Sequence, residues 1–157
     1  MDSQKLEKLD SRFDSACDAA AKAGQYLIEL AKQHGLDVND SIFYEQPSDS
    51  PGSFQYVSVS HEETEAFEKM SDAKKTAWYE KRVAANEAER QAKQAQLPAD
   101  VRTALVRFNE LRAAEHQAAR ALAAAMYKRG IVGVIADRLG LQEDSEIELY
   151  LDIPETQ

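Results

Sequence analysis

The chain has 157 residues, with 28 acidic and 19 basic side chains and a formal net charge of −9. This length suits one domain and is short for two, and a hydrophobic fraction of 43% argues against wholesale disorder. No run approaches the roughly 20 apolar residues of a membrane span, and the N-terminus lacks an apolar signal core. The sequence therefore predicts a soluble, cytoplasmic protein with a single domain over residues 1–157.

The first predicted element is a long helix over residues 3–34. Apolar and small side chains recur at alternating spacings of three and four from Leu6 to Leu30. This is the stripe of a packed helix, and Gly35 supplies the residue type that most often ends a helix in a left-handed conformation. The middle of the stripe is rich in alanine, so the backbone of a neighbouring helix can approach closely there.

The next segment has a different period. Residues 41–60 combine short apolar runs with a central turn rich in Ser, Pro and Gly, which predicts a β-hairpin. Residues 62–96 return to a helical composition, but the apolar side of this helix is mostly alanine. Because such a helix has little to bury, we expect it to lie on the outside of the domain or to pair with another chain.

The remaining chain predicts two more helices and a strand. Pro98 and Asp100 favour the start of a long helix over 99–129, and an apolar stretch predicts a short helix over 131–139. Alternating apolar residues then predict a strand over 145–152, which could extend the hairpin into a three-stranded sheet. The predicted fold class is α+β and mainly α, with long antiparallel helices of a bundle or coiled-coil type, a small antiparallel β-sheet and the order α-β-β-α-α-α-β.

The sequence offers little that points to catalysis or metal binding. His34, His61 and His116 fall in three different elements without the spacing of a metal site. The single cysteine, Cys17, excludes a disulfide within the chain and a CxxC site, and it reads best as a small buried residue. We therefore predict a protein that is not an enzyme and that has no metal and no cofactor.

One charged residue, Glu115, falls on the apolar stripe of the helix over 99–129. If this helix packs antiparallel to the first one, Glu115 lies opposite the alanine-rich middle, near Ala19 or Ala20. A buried carboxylate needs a partner, so Glu115 either pairs with a residue such as Lys22 or Arg112 or reaches the edge of the seam. We prefer this structural role to a catalytic one.

The charges are strongly segregated along the chain. Residues 35–72 hold nine acids and one base, and residues 139–157 hold six acids and no base, whereas residues 73–138 hold seven acids and thirteen bases. Both acidic blocks coincide with the predicted sheet and its flanks. We therefore expect negative charge to gather at one end of an elongated molecule and to steer it towards a positively charged partner.

This pattern suggests a protein–protein interaction module that binds a basic surface of a nucleic-acid-processing protein. Its surface character is comparable to that of phage-encoded anti-defence proteins and DNA mimics, so an inhibitor or regulator of viral origin is our working hypothesis. Aromatic side chains often anchor interfaces and join the acidic residues as candidates, with Trp78 and Tyr79 as a second choice. The predicted partner-binding residues are Glu45, Asp49, Glu62, Glu63, Glu65, Glu143, Glu146, Glu148, Asp152, Phe43, Tyr44, Tyr56 and Tyr150.

Three alternatives stay open at this stage. The weak helix over 62–96 and the long first helix also suit a homo-oligomeric coiled-coil scaffold or adaptor. The segment 131–147 has the spacing of a helix-turn-helix, although its acidic side chains would be repelled by DNA, so direct nucleic-acid binding is disfavoured. Finally, the acidic blocks could simply keep the edges of a small sheet in water.

Overall fold

The computed structural model describes residues 3–45, 47 and 59–127, and this part of the chain is mainly helical. Its four α-helices are α1 (Ser3–Gln33), α2 (His61–Glu68), α3 (Asp72–Ala95) and α4 (Ala99–Tyr127), and Ser41–Phe43 forms one turn of 3-10 helix. None of the described helices is long and apolar enough to cross a membrane.

Helices α1 and α4 pack against each other in antiparallel orientation and supply most of the core. Phe13, near the start of α1, lies in a cluster with residues from the end of α4, and Leu27, near the end of α1, lies in a cluster with residues from the start of α4. The predicted stripe of α1 therefore faces α4. The α4 residues in the two clusters are Ala118, Ala119, Leu122, Ala123 and Met126 in the first and Val101, Ala104 and Leu105 in the second.

The end of α1 is fixed by Gly35, as the sequence predicts. Gly35 has a φ of +69°, its N–H donates to the Lys32 carbonyl at 3.0 Å, and the Leu36 N–H donates to the Ala31 carbonyl at 3.0 Å. These two bonds form a Schellman motif, in which carbonyls at the helix end find donors after the chain reverses. The reversal directs the following residues back over the apolar cluster that contains Leu27.

The predicted β-sheet is wrong for the part of the chain that the structure describes, which contains no strand. Where the hairpin was to begin, Asp40 accepts a hydrogen bond from the Ile42 N–H and starts the 3-10 turn. Ile42 and Phe43 are neighbours in sequence and both are buried in the Leu27 cluster. Adjacent residues of a strand point to opposite faces, whereas the 3-10 turn lets both side chains enter the same cluster. Most of the predicted hairpin, the helix over 131–139 and the strand over 145–152 lie outside the described residues.

The single helix expected over 62–96 is two helices in the structure. Helix α2 ends at Glu68, and Ser71 begins α3 as an N-cap whose hydroxyl accepts a hydrogen bond from the Lys74 N–H. The break brings the rings of Phe67 and Trp78 to a centroid distance of 5.2 Å. Eleven residues of unbroken helix would separate them by about 16 Å at 1.5 Å per residue, so the turn between α2 and α3 makes this contact.

Candidate interaction surface on helices α2 and α3

Helix α2 begins with a local capping interaction that the sequence encodes directly. The Ser60 hydroxyl accepts a hydrogen bond from the Glu63 N–H at 3.1 Å, and Glu62 and Glu63 lie in the first turn. A side-chain acceptor satisfies one of the free N–H groups of the helix start, and carboxylates in the first turn interact favourably with the helix dipole. These effects favour a helix of only eight residues.

The inner side of α2 packs on α3 through aromatic and charged side chains. Phe67 contacts Trp78, and the Lys75 ammonium lies 5.4 Å from the centroid of the Phe67 ring. Arg82 of α3 lies 6.0 Å from the Trp78 ring centroid and 3.6 Å from the Glu63 carboxylate. That separation exceeds hydrogen-bond length, so the attraction between Arg82 and Glu63 is electrostatic. Together these contacts hold α2 against the first half of α3.

The outer side of α2 presents carboxylates to solvent. Glu62, Glu65 and Glu68 are exposed, whereas Glu63 and Phe67 are half-buried on the side that faces α3. Glu65 lies one turn after His61 and 3.6 Å from its imidazole, and both side chains are largely exposed. We call Glu62, Glu65 and Glu68 the acidic face of α2, since they are three carboxylates on the solvent side of one short helix.

The other predicted partner-binding residues differ in exposure, and several lie outside the described residues. Glu45 is exposed, and Tyr44 is 52% exposed with its hydroxyl donating to the Val38 carbonyl at 2.8 Å. Phe43 is only 2% exposed and belongs to the core, so the exposure that an interface anchor needs is missing. Of the second-choice pair, Trp78 packs on Phe67 and Tyr79 is 42% exposed. Outside the described residues lie Asp49, Tyr56, Glu143, Glu146, Glu148, Tyr150 and Asp152.

Sequence reasoning missed two features of this surface. It did not name Glu68, although a carboxylate three residues after Glu65 falls on the same side of a helix. It also did not predict that polar side chains of α3 lie on its half-buried side. Half-buried side chains of α3 include the polar residues Arg82, Asn86, Glu87, Arg90 and Gln94, whereas exposed positions include Ala77, Ala84, Ala88 and Ala95. We call these four alanines the alanine face of α3.

A second group of polar residues lies in the seam between α1 and α4. The Cys17 thiol donates to the Glu115 carboxylate at 3.6 Å, about one turn before the predicted position opposite Ala19 or Ala20. Of the two predicted partners, Arg112 interacts electrostatically with Glu115. Burial lowers the pKa of His116, and burial also lowers the pKa of Arg112, while the Glu115 charge opposes both shifts. Arg112 lies 5.2 Å from the centroid of the Phe108 ring.

This seam cluster suits a structural role better than a chemical one. A cysteine acts as a nucleophile through its thiolate, whereas Cys17 is a hydrogen-bond donor to a carboxylate. Glu115 and Arg112 also partly balance each other's charge at a point between the two apolar clusters. Within residues 3–45, 47 and 59–127, no group of three His, Cys, Asp or Glu side chains is arranged to hold a metal ion.

Comparison with known proteins finds no relative. No family model matches the chain. No curated protein and no solved structure matches it either.

Proposed function

We propose that this protein is a non-enzymatic interaction module that binds a basic surface of another protein through the acidic face of α2. The observation that carries the proposal is the arrangement of Glu62, Glu65 and Glu68 on the solvent side of a helix whose other side is anchored to α3. A helix fixes the spacing of these carboxylates before binding, which lowers the entropic cost of association.

The charge of the surroundings supports this choice of partner. Residues 35–72 hold nine acids and one base, so the acidic face lies within the most negative block of the described chain. Such a region accelerates association with a positively charged surface and repels nucleic-acid phosphates. Basic clefts of this kind are common in nucleic-acid-processing proteins. The finer proposal is an inhibitor or regulator, of the anti-defence or DNA-mimic type, that occupies such a cleft.

A charge-reversal experiment tests the acidic face. Binding to immobilised poly-L-lysine is measured at increasing NaCl concentration for the unmodified chain and for the triple variant E62K/E65K/E68K. The matched control is E7K/D18K/E29K, which makes the same change in net charge at exposed positions of α1. We expect the α2 variant to bind at least about tenfold more weakly than the control, because local charge governs contact more than net charge. Equal losses in both variants would mean that α2 is not the binding surface.

A second candidate function, a homo-oligomeric scaffold, is favoured by a different observation. The alanine face of α3 is exposed while polar side chains of α3 lie on its half-buried side, which reverses the usual arrangement of a surface helix. Small side chains would let a second helix approach closely. Sedimentation velocity over a range of concentrations tests the scaffold. The test variant is A84E/A88E, and A114E is a control at an exposed position of α4. A monomer at every concentration would remove the scaffold.

A further inference from the structure

We infer that the C-terminal segment, residues 128–157, folds back along the end of α4 and packs against the part of this helix that α1 leaves uncovered. This inference goes beyond the proposed function and does not depend on it. It assigns an occupant to a surface of α4 from the burial of α4 itself, from the course of the chain and from the composition of the segment.

The first support is the change in burial along α4. Before residue 115 the helix exposes one side to solvent, which includes Val106, Glu110 and Ala114. From residue 115 to residue 126 no position is exposed. This run makes about three turns, so its side chains point in every direction around the helix axis. The end of α4 is therefore covered on all sides, whereas its first half is not.

Helix α1 accounts for only part of this cover. Ala125 is only 4% exposed, yet it does not belong to the cluster that joins the end of α4 to Phe13. Ala121 and Ala124 are half-buried and also lie outside that cluster. Among the described elements, α4 makes its extensive contacts with α1. We call Ala121, Ala124 and Ala125 the outer surface of α4, and a further element is needed to cover it.

The course of the chain favours the C-terminal segment as this element. Residue 128 follows Tyr127 directly at the end of α4. The covered part of α4 is the part nearest to this point, and the exposed side begins farther away, at Ala114. A segment that turns back after Tyr127 reaches the outer surface first. Because it is tethered to α4, it also meets this surface at a higher effective concentration than a second copy of the chain does.

The composition of the segment fits a surface of small side chains. Residues 131–141 read IVGVIADRLGL and include the helix predicted over 131–139. As a helix this run is about 16 Å long at 1.5 Å per residue, which matches the length of the covered part of α4. Alanines on α4 leave room for its large aliphatic side chains, and their burial removes apolar surface from water.

Charge favours the same occupant. Arg120 lies half-buried within the covered part of α4. The residues that follow the apolar run are acidic, since residues 139–157 hold six acids and no base. Opposite charges attract most strongly where water is partly excluded, so an acidic segment is favoured beside a half-buried guanidinium.

Photo-crosslinking in the full-length chain tests the occupant. A leucine analogue with a diazirine group replaces Ala121, and in the control variant it replaces Ala114, which lies about two turns earlier on the same side of α4. Unlabelled and isotope-labelled chains are mixed before irradiation, so that mass spectrometry distinguishes crosslinks within one chain from crosslinks between two. Because insertion requires contact, we expect position 121 to give at least about tenfold more crosslink to residues 128–157 of its own chain than position 114 gives.

Docking of the segment is overturned if position 121 crosslinks only to residues 46–58, only to α3 or only to a second copy. Equal yields at positions 121 and 114 would overturn it as well. Hydrogen exchange of the unmodified chain supplies a second readout that leaves the outer surface unchanged. The backbone amides of residues 131–139 should exchange at least about tenfold more slowly than those of an unstructured peptide of the same sequence. Exchange at the unstructured rate would contradict a docked helix.

Discussion

The imidazole Nε2 of His34 lies 2.9 Å from the Asp100 carboxylate and joins the end of α1 to the first turn of α4. The two residues are 66 positions apart in sequence. Asp100 also accepts a hydrogen bond from the Val101 N–H at 2.9 Å. The pair therefore joins α1 to α4 at the end of the packed helices where the Leu27 cluster lies.

This pair predicts an acid-dependent loss of stability. The hydrogen bond from His34 lowers the pKa of Asp100 below 3.8, so the folded state binds this proton less readily than the unfolded state does. The contribution of Asp100 is therefore fully present above about pH 4 and is lost as pH falls through its lowered pKa. We expect D100N to reduce this part of the pH dependence, as measured by urea unfolding at a series of pH values. A D100N curve parallel to that of the parent would contradict the assignment.

His116 predicts a pH dependence in a higher range. Burial lowers its pKa from 6.5, so the unfolded state takes up a proton at a pH where the folded state does not. Stability is again lost as pH falls, and this loss begins near pH 6.5 and ends below the pKa of His116 in the folded state. H116Q should flatten the free energy of unfolding over this range. The control substitution is H61Q, at an exposed histidine outside the α1–α4 seam.

Gly35→Ala tests the cap of α1 without a steric complication. Among the described residues, no atom beyond Gly35 and its chain neighbours lies within 4 Å of the place that a Cβ would occupy, but the φ of +69° is unfavourable for residues with a side chain. We expect a loss of about 1–2 kcal/mol in the free energy of unfolding, measured with urea. Gly35→Asn is the informative control, since asparagine tolerates this conformation and should lose less. Equal losses would point to some cause other than backbone conformation.

Gly24 tests the close approach of α1 and α4 at the Phe108 ring. A Cβ at position 24 would lie 2.9 Å from Phe108 Cε2, so the ring must shift to admit alanine. Replacement of a helical glycine by alanine otherwise stabilises by about 1 kcal/mol. We expect G24A to fall short of this gain in the parent and to reach it when Phe108 is leucine, with a coupling energy of about 1–2 kcal/mol in a double-mutant cycle. Additive effects would mean that the ring does not limit position 24.

Two local features of the sequence, the spacing of apolar residues and a glycine cap, correctly predict helix α1. The spacing of apolar residues from Leu6 to Leu30 identifies the buried side of α1, because burial of one helix face requires that period. Gly35 ends the helix because the turn needs a left-handed residue there. Both signals depend on short-range geometry, so the sequence suffices to locate them.

The errors arise where tertiary contacts override a local pattern. The residues at 41–43 resemble the start of a strand, yet they form a 3-10 turn from which Ile42 and Phe43 both enter the Leu27 cluster. The break before α3 depends on the Ser71 cap and on the packing of Phe67 with Trp78. The prediction of one helix over 62–96 was based on composition, which indicates neither the Ser71 cap nor the contact between Phe67 and Trp78.

The candidate surface was predictable in charge and only partly in geometry. Glu62 and Glu65 are exposed on α2, as an electrostatic surface requires. Glu63 turns towards α3 and pairs with Arg82, a contact that depends on the α2–α3 turn. The number of charges along a chain does not show which carboxylates face solvent. Glu63 was therefore predicted as a partner-binding residue although it faces α3, and the exposed Glu68 was not predicted.

Photo-crosslinking in the native host tests the central claim most directly. A photoreactive amino acid replaces Ala66, which is exposed on α2, and in a second variant it replaces Ala114, which is exposed on α4. We expect position 66 to form a crosslink with a lysine- and arginine-rich segment of another protein, and high salt before irradiation to abolish it. Crosslinks that form only from position 114, or that join position 66 to a segment without basic residues, would contradict binding through the acidic face of α2.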